Sequence, residues 1–171
     1  MKKIYFAGKF NLDKNKDKSL EERLINDYRA QILENSGKIT YATDNIMLSN
    51  ICIYSGPFYC EKASNGDFTS TDCNTVLNSE YEAVNNSDIF FALFDQNFSV
   101  GTIVELDWAI NMDKEIIIFY QEEESKYDIK SEYWFAIANA LQRSKKVKVH
   151  KFNDINKVVE MIKKGGIFNE I

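Results

Sequence analysis

The run Ser87-Asp88-Ile89-Phe90-Phe91-Ala92-Leu93-Phe94-Asp95, followed by Ser99-Val100-Gly101-Thr102-Ile103-Val104-Glu105-Leu106, decides the fold class. An apolar run bounded by polar residues fits a strand buried on both faces, as in a parallel sheet. The second run reads as a short loop opening a helix, with Glu105 in its first turn. Ligands of open α/β sheets sit beyond the carboxyl ends of the strands. Asp95 at the strand tip and Glu105 just beyond are thus placed near a ligand crevice. A carboxylate there is a candidate nucleophile.

The flanking sequence extends this pattern. Lys3 to Ala7 predicts a first strand, closed by Gly8. Ser19-Leu20-Glu21-Glu22 is a capping-box pattern opening a helix in which Leu20, Leu24, Tyr28 and Ile32 share a face; Asn35-Ser36-Gly37 ends it. Ile39 to Tyr41 predicts strand two. Residues 42–75 read as a polar, irregular insertion, either a binding loop or a plain surface hairpin. Asp72 or Asn74 can cap a helix running to Asn86. A helix from Thr102 to Met112 follows the central strand, then a strand from Glu115 to Tyr120 and an acidic loop from Gln121 to Tyr127. A helix from Ser131 to Ser144, a strand from Val147 to Val149 and a last helix from Ile155 to Lys164 complete the chain. Strands alternating with helices predict a parallel sheet covered on both faces, within a single domain over residues 1–171.

Composition narrows the function classes. A net charge of -5 argues against a nucleic-acid polymer or an anionic membrane as main partner. No apolar stretch is long enough to span a bilayer. Cys52, Cys60 and Cys73 are odd in number and form no C-x-x-C pair, so they read as free thiols in a reducing cytoplasm. His150 is the only histidine and reads as a strand-end surface residue. That argues against a histidine-based metal site or a Ser-His-Asp triad.

Two carboxylates carry the candidate chemistry, each with a structural alternative. Thr102-x-x-Glu105 is itself a capping box, so Glu105 could simply tie back to the Thr102 amide. Alternatively, the helix N-terminus favours its ionised form, which a nucleophile requires. Glu80 shares a predicted inward stripe with Leu77, Tyr81 and Val84. It either reaches solvent from the stripe's edge or is buried with a raised pKa, as a proton donor or base-binding group. One low-pKa and one high-pKa carboxylate is the arrangement that cleaves glycosidic bonds through a covalent glycosyl-enzyme.

These residues resemble the nucleoside 2-deoxyribosyltransferase family, including relatives that hydrolyse 2'-deoxynucleoside 5'-monophosphates. The resemblance rests on Lys3-Ile4-Tyr5-Phe6-Ala7-Gly8, Ser87-Asp88-Ile89 and Gly101-Thr102-x-x-Glu105-Leu106-x-x-Ala109. It implies a flavodoxin-like three-layer α/β sandwich, with a five-stranded mostly parallel sheet, assembling as a homodimer or higher homo-oligomer. It implies Glu105 as the nucleophile toward the anomeric carbon, Tyr5 beside it, and Glu80 where the family has an aspartate that contacts or protonates the base. Gly8, Asp95, Ser99 and Gly101 then line the substrate cleft. The Ser99 hydroxyl suits a phosphate better than a carboxylate would. Ser131 and Asn139 lie near the region a neighbouring subunit contributes, and Trp134 and Phe135 read as core or interface residues. Asp107 departs from the family's glycine, so local helix packing is expected to differ. The implied activity is transfer or hydrolysis of a 2-deoxyribosyl group from a small-molecule nucleoside or nucleotide, with no metal or organic cofactor. Hydrolysis of NAD or another ADP-ribosyl nucleotide, and non-catalytic nucleotide binding, are the alternatives.

Overall fold

The computed structural model describes residues 4–8, 47–49, 52–53, 70–95, 99–121 and 133–163. In chain order these form β1 (Ile4–Ala7), β2 (Met47–Ser49), β3 (Cys52–Ile53), α1 (Ser70–Asn85), β4 (Ile89–Phe94), α2 (Val100–Asn111), β5 (Glu115–Gln121), α3 (Trp134–Arg143), β6 (Val147–Phe152) and α4 (Ile155–Lys163). The strands make one sheet in the order β2-β3-β1-β4-β5-β6. All neighbours are parallel except β2 and β3, which pair antiparallel. From β3 to β6 the order is that of flavodoxin-like sheets, whose ligand crevice opens at the switch point between the two strands corresponding here to β1 and β4.

The register explains the apolar runs. Tyr5 pairs with Phe90, Phe90 with Ile116, and Ile116 with Val147 across four strands. Successive side chains alternate faces. One face therefore presents Tyr5, Ala7, Phe90, Ala92, Phe94, Ile116 and Ile118, which pack with Leu106, Ala109 and Ile110 of α2 and with Ala136, Ile137 and Ala140 of α3. Ile4, Phe6, Ile89, Phe91, Ile117 and Phe119 alternate with them along the same strands and are also buried. Phe6, Phe91 and Phe119 meet there in edge-on or tilted pairs. A sheet covered on both faces needs apolar residues at every position, hence runs rather than alternation.

Several expectations are corrected. The described sheet has six strands, not five. The additional pairing comes from β2 and β3, inside the segment read as irregular. Strands of three and two residues are too short to show a period of two. The expected strand at 39–41, the first predicted helix and most of the acidic loop lie outside the described residues. The predicted start of α1 at Asp72 or Asn74 falls inside the helix, which begins at Ser70. β6 continues to Phe152, so His150 lies within the strand, half-buried with its ring 6.1 Å from Phe119, and not at a strand end.

The predicted inward stripe of α1 is rotated. Leu77 and Tyr81 are 50% and 43% exposed, and only Val84 is buried. Tyr81 packs edge-on against Trp108 of α2, with ring centroids 5.3 Å apart. Tyr81 thus serves the outer seam between α1 and α2, while Glu80 and Val84, one turn apart, face inward. Asp107 also finds its reason here. It pairs with the Arg143 guanidinium, which also donates to Asn111 at 2.6 Å; Asn111 in turn donates back to Asp107 at 3.0 Å. This polar ring ties α2 to α3, and a glycine at 107 would remove its ion pair.

Candidate active site

α2, which carries Glu105, begins earlier than its sequence implies. Ser99, in extended backbone, is the N-cap of α2; its hydroxyl accepts from the Thr102 amide at 3.3 Å and from the Thr102 hydroxyl at 2.9 Å. Serine is a preferred residue at this position because its short side chain reaches the orphan amides. Thr102 is therefore not the cap, and Glu105 lies in the second turn. The capping-box alternative for Glu105 is overturned. The helix-dipole argument weakens with it, because that field fades beyond the first turn.

Glu105 is instead held by the sheet. The buried Tyr5 hydroxyl contacts Glu105 Oε1 at 2.9 Å and also Glu80 Oε2. Three elements meet at this oxygen. β1 supplies the phenol, α1 the Glu80 carboxyl and α2 the Glu105 carboxyl. The Tyr5 ring stacks on Phe90 of β4, centroids 5.7 Å apart and planes 12° apart, at the switch point between β1 and β4. A phenol oxygen lies on its ring axis, so a held ring fixes the oxygen, and only the proton is free to turn.

Proton counting assigns the charges. A hydroxyl has one proton and can donate to only one of two carboxylates. Burial pushes the Glu80 carboxyl well above its ordinary range, and the negative charge of Glu105 adds to the rise. A neutral Glu80 donates its own proton to the phenol oxygen, and the phenol proton goes to Glu105. With Glu80 neutral, this arrangement leaves a single negative charge on the two carboxyl groups. This is the paired high-pKa and ionised carboxylate pattern of acid–nucleophile sites.

The other expected residues divide. Gly8 closes β1 and is buried; Asp95 is half-buried at the tip of β4. Gly101 is exposed in the first turn of α2, and a methyl group added there would meet no atom within 4 Å. Its lack of a side chain is not required by the protein's own packing. Asn139 is not with the carboxylates. It lies on α3 along a groove of about 400 Å³ shared with Ile103, Val104 and Trp108 of α2 and Phe135 of α3. Ser131 lies outside the described residues.

Tyr133 escaped the sequence reading. It stands in the Tyr133-Trp134-Phe135 run, but it is buried while its two neighbours are exposed. Its ring stacks on Phe94 at 4.2 Å, and its hydroxyl accepts from the Ser99 amide at 2.9 Å. It thereby fixes the N-cap of α2 to the end of β4. No local signal separates it from Trp134, since both are large aromatics at the start of one helix.

Among the described residues, no three or more His, Cys, Asp or Glu side chains are grouped so as to hold a metal ion, and no helix is long and apolar enough to cross a membrane. No family model matches the chain, and no curated protein matches it. Among solved structures it is similar to the CMP N-glycosidase BcmB of Clostridium botulinum, at 21% sequence identity and a TM-score of 0.51, with 94% of this chain and 97% of that chain covered. The likeness shows the fold, an α/β architecture with a parallel sheet spanning nearly the whole of both chains.

Proposed function

We propose that this protein cleaves the N-glycosidic bond of a nucleoside or nucleotide through a covalent sugar–enzyme intermediate, with Glu105 as nucleophile and Glu80 as acid. The observation that carries the reading is the single Tyr5 hydroxyl joining the two carboxylates. Two hydrogen bonds in series keep the carboxyl oxygens within about 6 Å. Retaining glycosidases hold their pair at a similar spacing, too close for a water between acid and base on opposite sides of the sugar. Glu105 attacks C1', the C1'–N electron pair leaves with the base, and the Glu80 proton goes to that base. Water then resolves the intermediate in a hydrolase, or a second base does so in a transferase. The activity in the name of the C. botulinum structure, CMP N-glycosidase, favours hydrolysis of a nucleotide. Gly8, Asp95, Ser99 and Gly101 would line the substrate at the strand tips.

A homodimer belongs to the same reading. Trp134 and Phe135 are 50% and 75% exposed beside the α2–α3 groove, more apolar surface than one helix end leaves open without use. From that groove Asn139 would serve a neighbouring copy's cleft.

The test is incubation with deoxynucleosides, deoxynucleotides, CMP and NAD, with and without added free base. Base release indicates hydrolysis, and base exchange indicates transfer. Release of nicotinamide from NAD would move the substrate to the ADP-ribosyl class. Binding without turnover of any of them would overturn the catalytic reading.

A further inference from the structure

The Tyr5 hydroxyl serves two acceptors that never need it together. Before the sugar is transferred, the negative charge is on Glu105. Afterwards Glu105 is an ester, a poor acceptor, and the charge is on Glu80, which has given up its proton. The phenol oxygen already touches both carboxyl groups, with its ring clamped on Phe90. A rotation of one O–H bond, with no heavy-atom movement, moves the hydrogen bond from one carboxylate to the other.

We propose that Tyr5 is a charge-following positioning residue, whose hydroxyl points to Glu105 in the free enzyme and to Glu80 in the sugar–enzyme intermediate. This rests on the glycosidic reading above. In the first step the Glu80 O–H turns from the phenol oxygen to the base, a Glu105 oxygen lone pair bonds to C1', the C1'–N pair departs with the base, and the Glu80 proton passes to it. The Tyr5 O–H turns to the new Glu80 carboxylate. In the second step water bonds to C1' and its proton passes to Glu80. The C1'–O pair returns to Glu105, and the O–H turns back. The cluster holds one negative charge in every state, so no step buries an additional charge, which an apolar surrounding would strongly oppose. The hydrogen bond to whichever group is ionised is the stronger, charge-assisted kind.

A phenol that merely holds Glu105 in place makes different predictions from one that follows the charge. The experiment uses Tyr5→Phe, Glu80→Gln and the double variant on a natural nucleotide and on the same sugar phosphate bearing nitrophenol in place of the base. The activated substrate needs no proton, so Glu80 stays neutral and the hydroxyl has nowhere to turn in the first step. Tyr5→Phe is expected to slow the natural substrate about tenfold or more and the activated one only a few-fold. In the Glu80→Gln background the same change is expected to have little further effect, a strongly non-additive cycle. Independently of turnover, the infrared carbonyl band of a neutral buried carboxyl should be present in the wild type, absent in Glu80→Gln and shifted in Tyr5→Phe.

Equal losses on both substrates, with multiplicative losses in the double variant, would overturn the switch and leave Tyr5 a simple brace. A band unmoved by Tyr5→Phe would overturn it as well. A wild type that releases base, and a Glu105→Gln variant that does not, support the glycosidic reading whatever the cycle shows. A wild type that releases no base from any substrate overturns that reading and the switch with it.

Discussion

The Ser99 amide donates to the Tyr133 hydroxyl at 2.9 Å, and this bond joins the N-cap of α2 to an aromatic side chain stacked on the last residue of the central strand. This turn is thus held by the N-cap residue of α3. Tyr133→Phe retains the stack and leaves a partly buried amide unpaired. The expected loss is about 1 kcal/mol in urea denaturation. Tyr133→Ala should lose about 3 kcal/mol or more, because the stacked ring goes too. If Ser99 contacts substrate, Tyr133→Phe should raise KM more than it lowers kcat.

Glu105→Gln should abolish turnover and change stability by less than about 1 kcal/mol. Glu105 is not a helix cap, and the amide oxygen still accepts from Tyr5. A variant keeping more than about a tenth of wild-type activity would contradict the nucleophilic role, since tenfold is only ~1.4 kcal/mol of barrier.

Glu80 makes stability fall as pH rises. Its pKa is raised on folding, so between the ordinary value of 4.5 and the raised folded value the folded state binds more protons than the unfolded one. The slope of unfolding free energy with pH is then negative across that window. The contribution is complete below the ordinary value and lost as pH passes the folded one. Glu80→Gln removes the titration. Urea midpoints measured from pH ~4 to ~9 should show the variant gaining on the wild type as pH rises. Parallel curves would sink this assignment.

Gly101→Ala separates the needs of the fold from those of the ligand. The added methyl meets open space, and alanine favours helix over glycine by up to about 1 kcal/mol. The variant should therefore be as stable as the wild type or more so. A fall in kcat/KM despite that gain would mark Gly101 as a place where substrate approaches the backbone. Unchanged kinetics would remove it from the site.

Phe135→Glu tests the assembly. Light scattering of the wild type should give a multiple of the 19.8 kDa chain mass, and the variant should fall toward one chain. A wild type that is a single chain at micromolar concentration would leave Trp134 and Phe135 without the proposed partner.

The sequence by itself determined the central architecture. Ile89 to Phe94 and Glu115 to Tyr120 read as strands buried on both faces, and the order of strands and helices around them implied a parallel sheet. The structure has both, with Phe90 beside Ile116 in register. Glu105 was also legible, because a carboxylate just past the central strand must sit near the crevice. What it touches was not. Tyr5 meets Glu80 across 75 residues and Glu105 across 100, and no local pattern encodes a contact of that span. Periodicity reports which residues of a helix lie on one side, but the neighbouring elements decide which side is inward. Tyr81 therefore went to the α1–α2 seam, and Glu80 to the sheet. The capping-box spacing pointed to Thr102 as the cap; the extended backbone at Ser99, braced by Tyr133, puts the cap there instead. Local chemistry set the elements, and only their packing decided which carboxyl groups met at the Tyr5 hydroxyl.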